Sequence, residues 1–376
     1  LEKAVTFRAS ISPPRSTTIA AIEKQLREIW TQAPGESTQT RACTMNLVVV
    51  ASRDVADRYL PVIDEVVLST PARAILVALE PDSNASVLEG DVSAIHGFGE
   101  NASASERVRL FASGAVCARV GSAVEALLVP EIPTALVWLA RVHVDDPVFS
   151  SLADDAHRVI LDTEYTSLAS LLQLSRWARG ASNRPNIADL AWTRLAPWQE
   201  MCARFFDDPK LTGHAKKIQK LVIRQASDAG TKLGSEAALL LGWFATRLGW
   251  TVHRIGGSVR FRRPDGDTVV LELRKSPTPA TIAPAALTGV SVEASENGVS
   301  IVGTLNLEVE GTDSAALLVW KLDAEVPSAS EQRVRLSANK GARMLERTLH
   351  RPSNDPALAE SALFAEEIYE EGLVVQ

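Results

Sequence analysis

Residues 44–80 read TMNLVVVASRDVADRYLPVIDEVVLSTPARAILVALE, and the division of this stretch decides the fold. "TMNLVVVA" is a short apolar run with no polar face, as expected of a strand buried on both sides. "ADRYLPVIDEVVLS" carries helical spacing and is expected to be interrupted at Pro61. "RAILVALE" reads as a second buried strand. Strands alternating with helices predict an α/β sheet with helices on both faces.

The alternation continues downstream. Segments 92–98 and 106–112 read as strands that add an antiparallel edge. "AVEALLV" is helical, and "TALVWLA" and "HRVILDT" are strands. "SLASLLQLSRWAR" is an amphipathic helix with Leu168, Leu171, Leu172 and Trp177 inward. Upstream, Ile19, Ile22, Leu26 and Ile29 recur at helical spacing, which predicts a helix over 16–31. Residues 1–40 are therefore an N-terminal helix and linker, and residues 41–182 an α/β domain with a mixed, mostly parallel sheet. "GASNRPNIA" (180–188) is turn chemistry and marks the boundary.

The character then changes. "IQKLVIRQA" is a strand, and "GSEAALLLGWFATRLGW" is an apolar helix stopped by Gly249. "TVHRI", "SVRFRR", "TVVLELRK", "GVSVEA", "GVSIVGTLNLEV" and "ALLVWKL" are strands, with a hairpin turn at Pro264-Asp265-Gly266. Residues 183–326 are thus an α+β domain with a largely antiparallel sheet. Residues 327–376 form a charged helical C-terminal tail, which is expected to be solvated.

Composition narrows the function. A chain of 376 residues exceeds one ordinary core. Its net charge of −7 supplies no basic field for nucleic acid or anionic lipid. The N-terminal stretch lacks the apolar core of a signal peptide. The apolar segment 123–140 is broken by Pro130, Glu131 and Pro133, so no membrane span is expected. Three cysteines, Cys43, Cys117 and Cys202, form no C-x-x-C pair and suit a reducing compartment. The expected location is the cytoplasm.

Chemistry is sparse. No G-x-G-x-x-G links a strand to a helix, and no P-loop, H-E-x-x-H or G-x-S-x-G motif occurs. Arg254, Arg260, Arg262 and Arg263 surround Gly256-Gly257, but a hairpin with one solvated basic face explains them better than an anion cradle. His143, His157, Asp145, Asp146, Asp154 and Asp155 read as a loop with acidic capping residues rather than as a metal site. Asp162 follows a strand, where a doubly wound sheet binds ligands, and it equally suits a cap on the next helix. No catalytic, cofactor-binding or metal-binding residue is assigned. A binding role is expected, with an enzyme or sensor taking a phosphorylated metabolite near Asp162 as the alternative.

The densest aromatic stretch is "DLAWTRLAPWQEMCARFFDDP", residues 189–209. Trp192, Leu195, Gln199, Cys202 and Phe206 share one helical face, and Trp198, Met201 and Phe205 lie on a stripe beside it. Pro197 cannot donate to the Thr193 carbonyl, so the segment is expected to split, with a helix running from Pro197 to Phe206. Trp192 is expected in the core. Trp198 is left open between core and partner surface.

This stretch resembles the D-L-x-W-x-R-L-x-x-W signature of the glucose-6-phosphate dehydrogenase assembly proteins, the OpcA family. "RACTMNLVVVA", "TPARAILVALEP", "EALLVPEIPTALVWL" and "LLLGWFATRLGW" resemble its other motifs in order. The resemblance spans about 41–250 well and 250–325 loosely. Here Val137-Trp138 stands where the family has Trp-Trp, and Glu131-Ile132 where it has Asp-Leu. The resemblance implies a non-catalytic assembly factor or allosteric activator that binds glucose-6-phosphate dehydrogenase and supports the oxidative pentose phosphate pathway and NADPH supply. Arg194, Trp198 and Trp138 become candidate partner-binding residues. In photosynthetic members the effect is linked to thiol redox state, which makes Cys43, Cys117 and Cys202 candidate redox residues.

Overall fold

The structure, a computed structural model, describes residues 9–32, 43–97, 104–226, 233–255, 258–277, 283, 285–309, 316–324, 332–336, 340–351 and 355–370. The chain divides into two compact units. One comprises residues 1–190 and 341–354, the other residues 191–340 and 355–376.

The first unit is built on β1 (Ala9–Ile11), β2 (Arg15–Thr17), β3 (Met45–Ser52), β4 (Ala72–Glu80), β5 (Val87–Gly97), β6 (Ala104–Ser113), β7 (Thr134–Leu139), β8 (Arg158–Leu161) and β9 (Asn186–Asp189). The order across the sheet is β1-β5-β6-β4-β3-β7-β8-β9, with β2 also on β5. Strands β6, β4, β3, β7, β8 and β9 are mutually parallel. β5 runs antiparallel to β6 and carries β1 and β2, so the antiparallel part lies at one edge. In chain order the parallel strands lie 3-2-1-4-5-6, the arrangement of a doubly wound sheet whose direction reverses between its first and fourth strands. Here that point lies between β3 and β7.

Both faces of β3 are covered, as its apolar run requires: Leu47 through Ala51 are all buried. Leu47, Val49 and Ala51 share a core with Val55, Ala56, Tyr59, Ile63, Val66 and Val67 of the helix Arg53–Ser69. That helix runs unbroken through Pro61, contrary to the expected interruption. The N-terminal helix is shorter than periodicity suggested. It spans Ile22–Gln32, after a 3-10 turn at Ile19–Ala21.

The second unit carries β10 (Ile218–Ala226), β11 (Thr251–Ile255), β12 (Ser258–Arg262), β13 (Thr268–Ser276), β14 (Leu287–Glu296), β15 (Val299–Val309), β16 (Ala316–Ala324) and β17 (Gln332–Leu336). Their order is β11-β12-β13-β10-β14-β15-β16-β17. Among the described residues the β10–β13 pairing is parallel and the other pairings are antiparallel. The helix Ser235–Leu248 ends at Gly249 in the left-handed conformation (φ 67°), where a side chain would be strained.

The C-terminal region is not the solvated tail expected from its charge. In the helix Lys340–His350, Ala342 and Leu345 enter the first unit's core. Its last turn is held by Arg158, whose guanidinium donates to the carbonyls of Thr348, Leu349 and Arg351. In the helix Pro356–Glu370, Leu358, Ala362, Ala365 and Ile368 are buried. It packs on Ser235–Leu248 so closely that a Cβ built on Gly242 would lie 2.1 Å from the Ser361 carbonyl oxygen. The charged Arg343, Arg347, Glu360 and Glu367 are exposed, while Ala342, Leu345, Leu358, Ala362, Ala365 and Ile368 are buried. Gly242→Ala is therefore expected to force the two helices apart and cost about 1–3 kcal/mol, as overpacking does. A urea titration checks this by a lower midpoint at unchanged slope.

Candidate functional site

The segment 189–209 is a candidate site by its composition, and its structure follows from the residues in order. Asp189 ends β9, is 1% exposed, and accepts from the backbone N–H (3.0 Å) and hydroxyl (3.0 Å) of Thr163. One helix, Leu190–Phe205, then continues straight through Pro197. This corrects the expected split. Proline in a helix interior costs about 3 kcal/mol. Burial of Leu195, Trp198, Met201 and Cys202 around it, at roughly 1.5–3 kcal/mol for each large apolar side chain, offsets that cost.

Both helical stripes face inward. Trp192 and Trp198 are each 4% exposed, and Phe205 is 5% exposed. The Trp192 indole N–H donates to Asp355 Oδ2 at 2.7 Å. Arg194 Nε donates to Glu236 Oε1 at 2.5 Å, and Glu236 Oε2 accepts from the Leu287 N–H at 3.1 Å. Arg194 thus joins its helix to Ser235–Leu248 and to the start of β14. Trp138 on β7 is 1% exposed, donates to the Arg141 carbonyl (3.3 Å) and meets Phe149 edge-on at 5.2 Å. Of the three residues marked for a partner, two have their rings in a core and the third holds an internal ion pair.

The other matched motifs behave alike. Asn46 of "TMNLVVVA" is 1% exposed; its Nδ2 donates to the Val129 carbonyl (3.0 Å) and its Oδ1 accepts from the Val129 N–H (2.9 Å). Arg73 of "RAILVALE" donates to Glu106 (2.7 Å), Glu23 (2.5 Å) and the Leu127 carbonyl (2.7 Å). The apolar runs within residues 44–80 carry the strand reading and pass over both. The signal for such residues is a polar side chain inside an otherwise apolar strand, because burial obliges it to find partners.

None of the three cysteines is in a disulfide. Burial pushes the Cys202 thiol up to about 12, and burial also raises Cys117, whose Sγ donates to the Ala112 carbonyl at 3.3 Å. Cys43 is only half-buried. Because the thiolate is the reactive form, Cys43 is expected to react first with an aromatic disulfide reagent. All three are expected to react in denaturant. Peptide mapping after partial labelling reads the order, and prior labelling of Cys202 would contradict it.

At the carboxyl ends of the parallel strands the residues are local fixtures. Asp162 follows β8 and is 2% exposed; its carboxylate accepts from the Glu164 N–H at 3.1 Å. The next helix is capped instead by Ser167, which accepts from the Ser170 N–H. Asp146 caps the helix Pro147–Asp154, accepting from the Val148 and Phe149 N–H groups. Between β3 and its helix, the Ser52 hydroxyl donates to Asp54 at 2.7 Å. Arg53 lies 3.8 Å from Glu80 and 4.3 Å over the Phe111 ring. Arg263, on the hairpin read as a basic face, is 5% exposed and bound to Asp265, Asp267 and the Ile218 carbonyl. Gly256-Gly257 lie outside the described residues. No described helix is long and apolar enough to cross a membrane.

Two family models match this chain. Residues 64–176 match the glucose-6-phosphate dehydrogenase subunit N-terminal domain, and residues 185–362 match the C-terminal domain of the same subunit. A relative in Synechococcus elongatus, named OpcA and assigned by that name to the OxPP cycle, is 32% identical over 180 residues, covering 46% of this chain and 39% of the relative. A relative of the same name in Nostoc punctiforme is 30% identical over 211 residues, covering 54% of this chain and 42% of the relative. The matched chain therefore spans less than half the length of either. Among solved structures, an oxidoreductase from Sinorhizobium meliloti aligns over 89% of this chain and 99% of its own, with a TM-score of 0.49 and 14% identity.

Proposed function

This chain belongs to the OpcA family of glucose-6-phosphate dehydrogenase subunits, and from that premise we propose that it is a non-catalytic partner that binds the dehydrogenase and favours its active form. The observation that carries the reading is the pair of subunit-domain matches in order along one chain, over 64–176 and 185–362. Arg73, Asp189, Arg194 and Asp162 each make hydrogen bonds within the fold. On this reading the chain acts in the cytoplasm, where the oxidative pentose phosphate cycle supplies NADPH.

A binding partner changes an enzyme only by binding two of its states unequally. Equal affinity for both shifts nothing, however tight. The chain must therefore contact a surface that differs between less active and more active dehydrogenase. Size-exclusion chromatography of the mixture tests the association: a shared, larger peak is expected, and separate elution at micromolar concentrations contradicts it. Within this reading, thiol control rests on Cys43, the most accessible of the three thiols. A Cys43→Ser variant that associates identically under oxidising and reducing conditions, while wild type does not, supports that role. Identical behaviour of wild type in both conditions removes it.

A further inference from the structure

We propose that at the strand-end crevice between β3 and β7 the chain replaces the glycine turn of a dinucleotide site with its own charged side chains, so that the first unit takes no nicotinamide dinucleotide. The proposal concerns the chain alone and does not rest on partnership with the dehydrogenase.

The strand order places the reversal point between β3 and β7, where such sheets bind a dinucleotide outside their carboxyl ends. Three features admit the pyrophosphate in a working site. The turn after the first strand is built from glycines, so the backbone approaches the phosphates. The helix N-terminus is unoccupied, so its N–H groups face them. An acidic residue after the second strand is available to the ribose.

The corresponding turn here is Ala51-Ser52-Arg53-Asp54-Val55-Ala56. The small residues of a G-x-G-x-x-G turn survive as Ala51, 0% exposed, and Ala56, 2% exposed, where close packing of helix on sheet requires them. The middle position, which must lack a side chain for the phosphates to approach, holds Arg53. Its guanidinium lies 4.3 Å over Phe111 of β6 and 3.8 Å from Glu80, the last residue of β4. The carboxylate that ends the second parallel strand therefore faces the protein's own cation.

Asp54 adds a second charge at this turn. It stands in the first turn of the helix Arg53–Ser69 and accepts from the Ser52 hydroxyl (2.7 Å) and from Arg58 (3.0 Å). The Ser52 hydrogen bond, chiefly, holds its carboxyl below the usual range, and Arg58 adds to this. Asp54, whose side chain is 73% exposed, thus puts a negative charge at the helix end where a pyrophosphate would place its own, and like charges repel there.

Titration of the purified full chain with NADPH, followed by the nucleotide's fluorescence and by thermal shift, tests the proposal. Wild type is expected to show no saturable change up to about 1 mM. Arg53→Gly with Asp54→Gly is expected to gain saturable binding, at least about ten-fold tighter than any wild-type response. Arg53→Ala with Asp54→Asn keeps better helix formers at the turn, so it reports if the double-glycine chain does not fold. Saturable NADPH binding by wild type would overturn the proposal. So would two variants that melt like wild type and remain as blind to NADPH.

Discussion

Trp198→Ala is expected to lower the stability of the chain by about 3–5 kcal/mol, the range for truncating a large buried aromatic. The ring is 4% exposed, on a stripe whose neighbours Met201 and Phe205 are 2% and 5% exposed. Alanine would leave a cavity beside Pro197, where the helix already lacks one hydrogen bond, so local collapse is a poor remedy. Urea denaturation reads the change as a lower midpoint. A loss below about 1 kcal/mol would mean that the ring is not a core element. If dehydrogenase binding also weakened in that case, Trp198 would return to the partner surface.

The second large effect is expected at Glu106. Its side chain is fully buried, with Oε2 accepting from Arg73 and Oε1 from the Trp30 indole N–H at 2.8 Å. Burial works to lower the pKa of Arg73, but Glu106 and Glu23 outweigh it, so the guanidinium stays charged. Among the described residues, Glu106→Ala would leave that buried cation with the half-exposed Glu23 as its ionic partner. Removing one member of a buried pair costs about 3–5 kcal/mol. Glu106→Gln retains hydrogen-bonding atoms and is expected to cost less. Equal losses for the two variants would mean that the charge contributes nothing.

These residues explain what was legible in the sequence. β3 and β4 are evident because strands covered on both faces must be apolar throughout, and a run such as Leu47–Val50 has no other use. Antiparallel strands of the second unit were legible through their turns, Pro264-Asp265-Gly266 among them. Pro197 and Pro61 misled for one reason: a local penalty is visible in the chain, whereas the packing that offsets it is tertiary. The C-terminal helices misled similarly. Their charge is evident in sequence, but the fit of Gly242 against Ser361 is not.

The candidate site was less legible than the fold. The family motifs include Asn46, Arg73, Asp189, Trp192 and Arg194, and every one of these makes internal hydrogen bonds. Such residues hold the framework together. Framework residues leave long-range traces because burial obliges each to find one particular partner. A docking surface carries no comparable constraint within its own chain. Arg53 was invisible for a related reason, because its meaning depends on the strand order that places it at the reversal point.

The proposed function is tested most directly by steady-state kinetics of glucose-6-phosphate dehydrogenase titrated with this chain. A saturable fall in apparent KM or rise in kcat is expected, with the midpoint tracking the concentration at which the two proteins co-elute. Unchanged kinetics at concentrations that saturate the complex would contradict the proposed activation and leave a scaffold without influence on the enzyme.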